Sequence, residues 1–216
     1  MTFLNKLTTF IAKAKKKTTR IVANLIRRVK APPIPKNADG KVLIHLGCGP
    51  ANDPRWINVD LLCLSHIHYI QDISKLDNFP DDTADLIYAS HALEHIGRRA
   101  LLGVLSEWRR VLKPGGVLRI AVPDFDYLIN IYNSEGHDIG AIAGPLMGGQ
   151  DYKYNFHYSV FNENYLSNLF KTAGFKEVRR WNPKTAPYHS FDDWSSHPYP
   201  INGHTYPVSL NLEAIK

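Results

Sequence analysis

The residues best placed to do chemistry are two glycines and two carboxylates that follow successive short apolar runs. Gly47 and Gly49 follow the first run, Asp60 ends the second, and Asp72 follows the third. Glycines let the backbone approach a ligand that a Cβ would hold away. A carboxylate at a strand end can accept hydrogen bonds from both ribose hydroxyls, and the next one from an adenine amino group. The pattern predicts a site for an adenosine-containing ligand.

The spacing argues against a dinucleotide such as NAD. The dinucleotide fingerprint requires a third glycine three residues after the second, and this chain has Asn52 there. Asp60 lies 11 residues after Gly49, sooner than that fingerprint expects. No basic residue or helix start is evident nearby to hold a pyrophosphate. A cofactor without phosphates fits better.

Three residues are candidates for catalysis as proton acceptors. His91 follows the fourth predicted strand, Asp124 ends the fifth, and His157 lies in a segment rich in glycine and aromatic residues, 148–158. This segment is typical of a lid over an acceptor, although it could also simply pack on the body. His91 could instead shape the pocket, and Asp124 could cap a helix.

We expect no metal ion. Glu94 and His95 are interpreted as mostly structural, because they lie near a predicted helix start. Three later histidines are irregularly spaced in a stretch rich in proline and tryptophan, which does not favour a metal site: His189, His197 and His204.

Four segments resemble, in order, the motifs of class I S-adenosylmethionine (SAM)-dependent methyltransferases. Together they extend roughly from residue 41 to residue 125. They are HLGCGP at 45–50, WINVD at 56–60, DLIYASHALEH at 85–95, and WRRVLKPGG at 108–116 with LRI at 118–120. Each is modest evidence alone, and the set is strong. The chain most resembles a subgroup of small predicted methyltransferases, type 11-like, that is often linked to surface-glycan pathways.

The resemblance implies that SAM is the cofactor and gives roles to the matching residues. Asp60 would bind the ribose, and Asp72 with Ile73 would face the adenine. Ser90 and His91 would lie near the sulfonium and the acceptor. The residues that would contact the cofactor are His45, Gly47, Cys48, Gly49, Asp60, Asp72, Ile73 and Ser90.

The predicted elements from residue 41 onward alternate between strands and helices, which indicates a doubly wound, mostly parallel α/β sheet. Strands are predicted at 42–46, 57–60, 68–70, 85–89, 117–122, 178–181 and 208–215, helices at 98–112, 124–132 and 162–173, and a long loop at 134–160. The last strand alternates apolar and polar residues, as an antiparallel strand does. The resemblance implies a seven-stranded Rossmann-like sheet with this strand antiparallel.

The first two crossovers are short for parallel strands. Ten residues separate Leu46 from Ile57, and seven separate Asp60 from His68, whereas parallel neighbours usually need about a dozen or more with a helix. We expect the first crossover helices to be reduced or missing. The hypothesis is that residues 2–30, or a partner subunit, help to cover the exposed sheet face.

Composition and charge indicate one globular body of residues 37–216 behind a basic segment. The chain has 216 residues and a formal net charge of +6. Ten of its 26 basic residues lie in residues 1–38, where no acidic residue occurs, so 16 basic and 20 acidic residues remain afterwards. A mildly acidic body argues against wide contact with nucleic acid phosphates. Two cysteines outside any Cys-x-x-Cys pair favour a reducing, cytoplasmic compartment.

Residues 2–30 have apolar residues at helical spacing with lysines mostly toward the other side, followed by a proline-rich linker that ends at residue 36. Three interpretations remain open. The helix could lie on an anionic membrane surface, pack on the body or a second subunit, or serve as a cleaved targeting leader.

The sequence predicts an enzyme that transfers a methyl group from SAM to a small-molecule or glycan acceptor, most simply to a hydroxyl oxygen. Two alternatives stay open: a SAM-binding scaffold subunit without turnover, and a nucleic-acid methyltransferase that captures substrate with the basic segment. We expect no nucleic acid partner, and the chain could form a homodimer or contact a membrane peripherally.

Deleting residues 1–36 tests the packing hypothesis. If residues 2–30 help to cover the sheet, the deletion lowers both the melting temperature and the SAM affinity, because apolar sheet surface becomes exposed. Differential scanning and titration calorimetry measure the two. The packing role fails if neither value changes.

Overall fold

The computed structural model describes residues 34–216, and within this range seven strands form one twisted sheet in the order β3-β2-β1-β4-β5-β9-β6. The strands are β1 (Leu43–Leu46), β2 (Ile57–Asp60), β3 (Tyr69–Ile70), β4 (Ala84–Ser90), β5 (Leu112–Pro123), β6 (Glu177–Arg180), β7 (Tyr199–Ile201), β8 (His204–Tyr206) and β9 (Ser209–Ile215). Strands β1 to β5 pair in parallel, and β9 pairs antiparallel with both β5 and β6. The predicted fold class, with its antiparallel last strand, is confirmed.

Four α-helices lie in the described range: α1 (Leu101–Val111), α2 (Phe125–Ser134), α3 (Gly140–Met147) and α4 (Glu163–Thr172). Helix α1 buries Leu101, Val104, Leu105, Trp108 and Val111, one apolar stripe at helical spacing, against the sheet. Helices α2 and α4 begin at side-chain caps that accept backbone N–H groups two and three residues ahead.

One expectation about local structure was wrong, and one further element was not predicted. The predicted loop at 134–160 contains α3, whose glycines and internal Pro145 disfavour a helix when considered alone. The proline- and tryptophan-rich stretch contains the β7–β8 hairpin, which sequence analysis missed. In both places packing overrides weak local propensity, because α2, α3 and the hairpin share one apolar cluster.

The chain between β1 and β4 contains turns and no helix, so the expectation that the first crossover helices are reduced or missing is confirmed within the described residues. One face of the sheet is covered by α1 and α4 and forms the main core. The opposite face carries a second apolar cluster, which includes Leu43, Tyr88 and Ala121.

The segment of residues 181–197 covers that opposite face. Phe191 stacks on Tyr88 with ring centroids 5.4 Å apart and lies 4.4 Å from the ring of His45. The indole of Trp56 donates a hydrogen bond to the carbonyl of Tyr188 at 3.2 Å. The segment therefore does, for at least this part of the face, what the hypothesis assigned to residues 2–30, which lie outside the described residues.

A buried ion pair fastens the same segment to the sheet. Arg119 on β5 donates to Glu213 on β9 at 3.0 Å, and both side chains are almost fully buried. Arg119 also donates to the carbonyl of Pro187 at 2.9 Å. An unpaired buried charge is costly. The segment therefore helps to satisfy the buried Arg119, and Arg119 in turn holds the segment on the sheet.

No helix among the described residues is long and apolar enough to cross a membrane. The amphipathic helix and linker predicted for residues 1–36 lie almost entirely outside the described range.

Phe191→Ala tests whether the 181–197 segment closes the sheet. We expect the free energy of unfolding to fall by about 3–5 kcal/mol, since the change removes a buried ring and leaves a cavity. Urea denaturation measures it, with Leu102→Ala as control, because Leu102 is 41% exposed on α1 and should cost less than about 0.5 kcal/mol. Equal losses for the two variants would contradict this account of the segment.

Candidate functional site

A cavity of about 1070 Å³ opens at the carboxyl ends of the central strands. Such an edge is where ligands bind in open α/β sheets. Every site residue predicted from sequence lines this cavity except Asp124. The lining residues from that set are His45, Gly47, Cys48, Gly49, Asp60, Asp72, Ile73, Ser90, His91 and His157.

The turn after β1 requires glycine at two positions for different reasons. Gly47 has φ of +63°, and a Cβ on it would lie 2.8 Å from the Cβ of Ala92. Gly49 has φ of +52°, and a Cβ there would point into open space. Gly47 is therefore needed for packing against the chain after β4, and Gly49 for backbone conformation at an open part of the cavity.

Asp60 ties this glycine turn to the end of β2. One carboxylate oxygen accepts the backbone N–H of Gly49 at 2.8 Å, and the other accepts that of Leu62 at 2.7 Å. His66 contacts the carbonyl oxygen of Gly49 through Nε2 at 2.9 Å and so must donate to it. Sequence analysis missed His66, whose role depends on a contact across the turn.

Two predicted cofactor residues, His45 and Cys48, are buried and uncharged. Burial lowers the pKa of His45 to about 3, and its ring packs among Trp56, Tyr88 and Phe191. Burial, and then the nearby Asp60, raise the pKa of the Cys48 thiol well above its usual range. The thiol is therefore protonated at neutral pH and is a poor nucleophile.

After β3, at the edge of the sheet, Asp72 is exposed, and its carboxylate accepts one hydrogen bond from the backbone. Its Oδ1 accepts the N–H of Ser74 at 2.8 Å. Ile73 beside it is half-buried and packs against the main core. This corner presents an apolar surface next to a carboxylate, as an adenine ring would require.

His91 is held by a hydrogen bond at one ring nitrogen, and its other ring nitrogen faces Glu94. It has φ of +47°, unusual for a residue with a Cβ. Its Nε2 lies 2.8 Å from the hydroxyl of Ser209, which donates its own proton to the carbonyl of Trp194. Nε2 of His91 therefore donates to Ser209, and Nδ1 lies 3.3 Å from Glu94.

Glu94 is a buried carboxylate among histidines. Burial raises the pKa of Glu94, but His91, and then His95 and His157, outweigh it and hold the pKa below its usual value. Burial lowers the pKa of His157, so this ring is neutral at pH 7. Sequence analysis treated Glu94 and His95 as structural; His95 lines the cavity, and Glu94 lies directly behind it.

The outer wall of the cavity comes from two segments far apart in sequence. The 148–158 loop contributes Tyr152, Tyr154 and Tyr158, and the 181–197 segment contributes Asp193 and other residues. The three tyrosines are 46–63% exposed. The glycine- and aromatic-rich pattern predicted the first segment as a lid, whereas the second segment has no local motif from which it could be predicted.

Asp124 does not line the cavity. The expectation that it could accept a proton from the acceptor is therefore corrected. Its side chain is buried and accepts the N–H of Asp126 at 3.1 Å, as the N-cap of α2. The capping alternative therefore describes its position. Three other histidines are dispersed: His189 lies in the aromatic cluster, His197 pairs with Asp192, and His204 contacts Glu135.

The chain matches a family described as a methyltransferase domain, over residues 15–179. Among solved structures, it resembles a SAM-dependent methyltransferase from Methanosarcina mazei, with 14% identity, 82% and 92% of the two chains covered, and a TM-score of 0.52. It also resembles a SAM-dependent methyltransferase from Archaeoglobus fulgidus, with 16% identity, 96% and 99% covered, and a TM-score of 0.51. At these identities the likeness shows the fold. No curated protein matches the sequence.

Gly47→Ala and Gly49→Ala form a matched pair that tests the turn. Both variants carry the strain of a left-handed residue with a Cβ, about 1–2 kcal/mol, and only Gly47→Ala adds an overlap with Ala92. We expect Gly47→Ala to lose at least about 1 kcal/mol more free energy of unfolding in urea titrations. The reverse order would contradict the described packing.

Proposed function

This chain belongs to the methyltransferase domain family, and we propose that it transfers the methyl group of its cofactor, SAM, to a hydroxyl oxygen of a small-molecule or glycan acceptor. The observation that carries the proposal is the convergence of successive strand ends on one cavity. The family and the fold support a SAM-dependent methyltransferase of class I. The acceptor and the methylated atom are the new parts of the proposal.

We propose that SAM lies along the strand ends with its methionine part at Gly47 and Gly49. Its ribose would hydrogen-bond to Asp60, whose oxygens each accept one backbone N–H and retain capacity for one more bond. Its adenine would lie against Ile73 with its amino group toward Asp72. The backbone contacts of Asp60 support this arrangement, because they preset the carboxylate before the cofactor arrives.

The cavity has room for a second molecule beside SAM. Its volume of about 1070 Å³ exceeds the roughly 300–1,000 Å³ typical of a pocket for one drug-sized ligand. The free space beyond Ser90 is bounded by His91, His95, His157 and the tyrosines of the 148–158 loop. We propose that the acceptor occupies this end.

Charge and aromatic content favour a sugar or ring-bearing acceptor over nucleic acid. Four carboxylates line the described cavity, at Asp60, Asp72, Asp192 and Asp193, against the single cation Lys153. An acidic cleft repels a phosphate backbone. Exposed tyrosines and Trp194 at the rim offer flat apolar faces with polar edges, which suit the faces of a sugar.

Methyl transfer from a sulfonium is an in-line displacement that depends largely on positioning and exclusion of water. SAM would supply the methyl group to the acceptor oxygen with S-adenosylhomocysteine as the leaving group, and the hydroxyl proton of the acceptor would go to a base. We propose that Ser90 and His91 border the reacting atoms. His157 accepts the hydroxyl proton on its neutral ring, since Nε2 of His91 is occupied by Ser209 and Nδ1 of His91 is turned toward Glu94.

Asp60→Ala tests the cofactor site. We expect the affinity for SAM to fall about 10- to 100-fold in titration calorimetry, because one or two charge-assisted hydrogen bonds are lost. The control is Asp77→Ala, which removes an exposed carboxylate outside the cavity and should leave affinity unchanged. Normal SAM binding by Asp60→Ala would contradict the ribose assignment.

The acceptor is tested by S-adenosylhomocysteine release from SAM with panels of hydroxylated small molecules, glycans, RNA and DNA. Turnover with a hydroxylated acceptor, and its loss in Asp60→Ala at limiting SAM, is the expected result. Methylation of nucleic acid alone, or tight SAM binding without turnover on any acceptor, would overturn the proposal in favour of one of the two alternatives.

A further inference from the structure

A buried carboxylate and two imidazoles meet at the acceptor end of the cavity in a way that the proposed function does not explain. Glu94 and His95 lie on the short helical turn after β4, and His157 comes from the loop after α3. One donor atom from each lies within 4.8 Å of those of the other two, and no other such group occurs among the described residues.

The hydrogen bonds of both histidines determine which ring nitrogen carries the proton and which has a free lone pair. Nδ1 of His95 lies 3.0 Å from the carbonyl oxygen of Phe156, and Nδ1 of His157 lies 3.0 Å from that of Pro145. A carbonyl oxygen can only accept, so each Nδ1 carries the proton, and in a neutral ring Nε2 then has a free lone pair. Metal-binding histidines are commonly oriented by this kind of backbone contact.

Glu94 lacks the donors that a buried carboxylate needs. Its side chain is 1% exposed, and neither oxygen has a hydrogen-bond partner. Nε2 of His157 lies 3.9 Å from Oε1 of Glu94, so two acceptors face each other. Nδ1 of His91 lies 3.3 Å from Oε1 of Glu94, and because Nε2 of His91 donates to Ser209, this Nδ1 carries no proton in a neutral ring and cannot donate to Glu94. An unpaired buried carboxylate is costly, and a cation between these acceptors would remove that cost.

We propose that Glu94, His95 and His157 bind one divalent first-row transition-metal ion at the acceptor end of the cavity. Two imidazole nitrogens and one carboxylate oxygen favour ions such as Zn²⁺ or Co²⁺ over Mg²⁺ or Ca²⁺. Ligand bonds of about 2.1 Å allow donor atoms of one ion to lie up to about 4.2 Å apart. The Glu94–His157 separation fits, and the widest pair must close by less than about 1 Å.

This metal site differs from the sequence-based expectation that no metal ion binds. The binding of the ion does not depend on the proposed function, and only the ion's role in methyl transfer rests on it. With three protein ligands, the ion keeps coordination positions open, and His95 and His157 line the cavity. An ion here would bind an acceptor oxygen and orient it toward the methyl donor. His157 would then be a ligand in place of the base, and the hydroxyl of a metal-bound acceptor would release its proton to water.

The test uses the full-length protein after chelator treatment, titrated with Co²⁺ by visible absorption and with Zn²⁺ by calorimetry. We expect one ion per chain. Glu94→Gln and His157→Gln should each weaken binding by at least about tenfold. His204→Gln, which removes an exposed histidine on the β7–β8 hairpin, should leave binding unchanged.

Thermal melts and SAM titrations of the metal-free proteins separate ligand loss from misfolding. Glu94→Gln should be at least as stable as the parent without metal, because it removes an unpaired buried charge. Absence of one-to-one binding, or binding that Glu94→Gln and His157→Gln leave unchanged, overturns the metal site while SAM binding remains intact. Metal binding without methyl transfer to any acceptor instead refutes the proposed function.

Discussion

The close approach of two backbones at the end of the central strand is the constraint on which the site depends. Ala92 lies so close to Gly47 that a side chain at position 47 would overlap it. This contact brings the chain after β4 beside the turn after β1. Asp60 then joins the same turn to β2 through the N–H of Gly49. Three strand ends are thereby held together before any ligand arrives, which is the physical meaning of a preorganised site.

Loss of the first crossover helices links the core of this protein to its site. The 181–197 segment packs Phe191 on the sheet face that such helices would cover, and it also supplies Asp193 and Trp194 to the cavity wall. Tyr88 lies at the junction: its ring stacks on Phe191, and its hydroxyl donates to Asp193 at 2.7 Å. Packing changes on this face therefore reach the acceptor end through a short chain of contacts.

The histidine and glutamate cluster shows how the fold can hold a charge that the local sequence would not. The side chain of Glu94 is 1% exposed, and the backbone N–H groups of Tyr158 and Ser159 donate to its main-chain carbonyl and not to its carboxylate. The backbone carbonyl of Glu94 therefore has hydrogen-bond donors, whereas its carboxylate has none. Such a residue is more often functional than structural, because stability alone would favour an uncharged group.

The sequence by itself determined the alternating strands and helices, the shortened crossovers and the glycine and carboxylate edge, because period-2 and helical patterns and strand-end residues are local signals. Its motifs, through their resemblance to a family, added the seven-stranded sheet with an antiparallel last strand. The tertiary structure alone decided which side chains from distant segments meet. No spacing relates Phe191 to Tyr88 or His157 to Glu94, and Asp124 could be separated from the cavity only by seeing its carboxylate cap α2. Contacts between distant residues depend on how elements pack, which a local pattern does not encode.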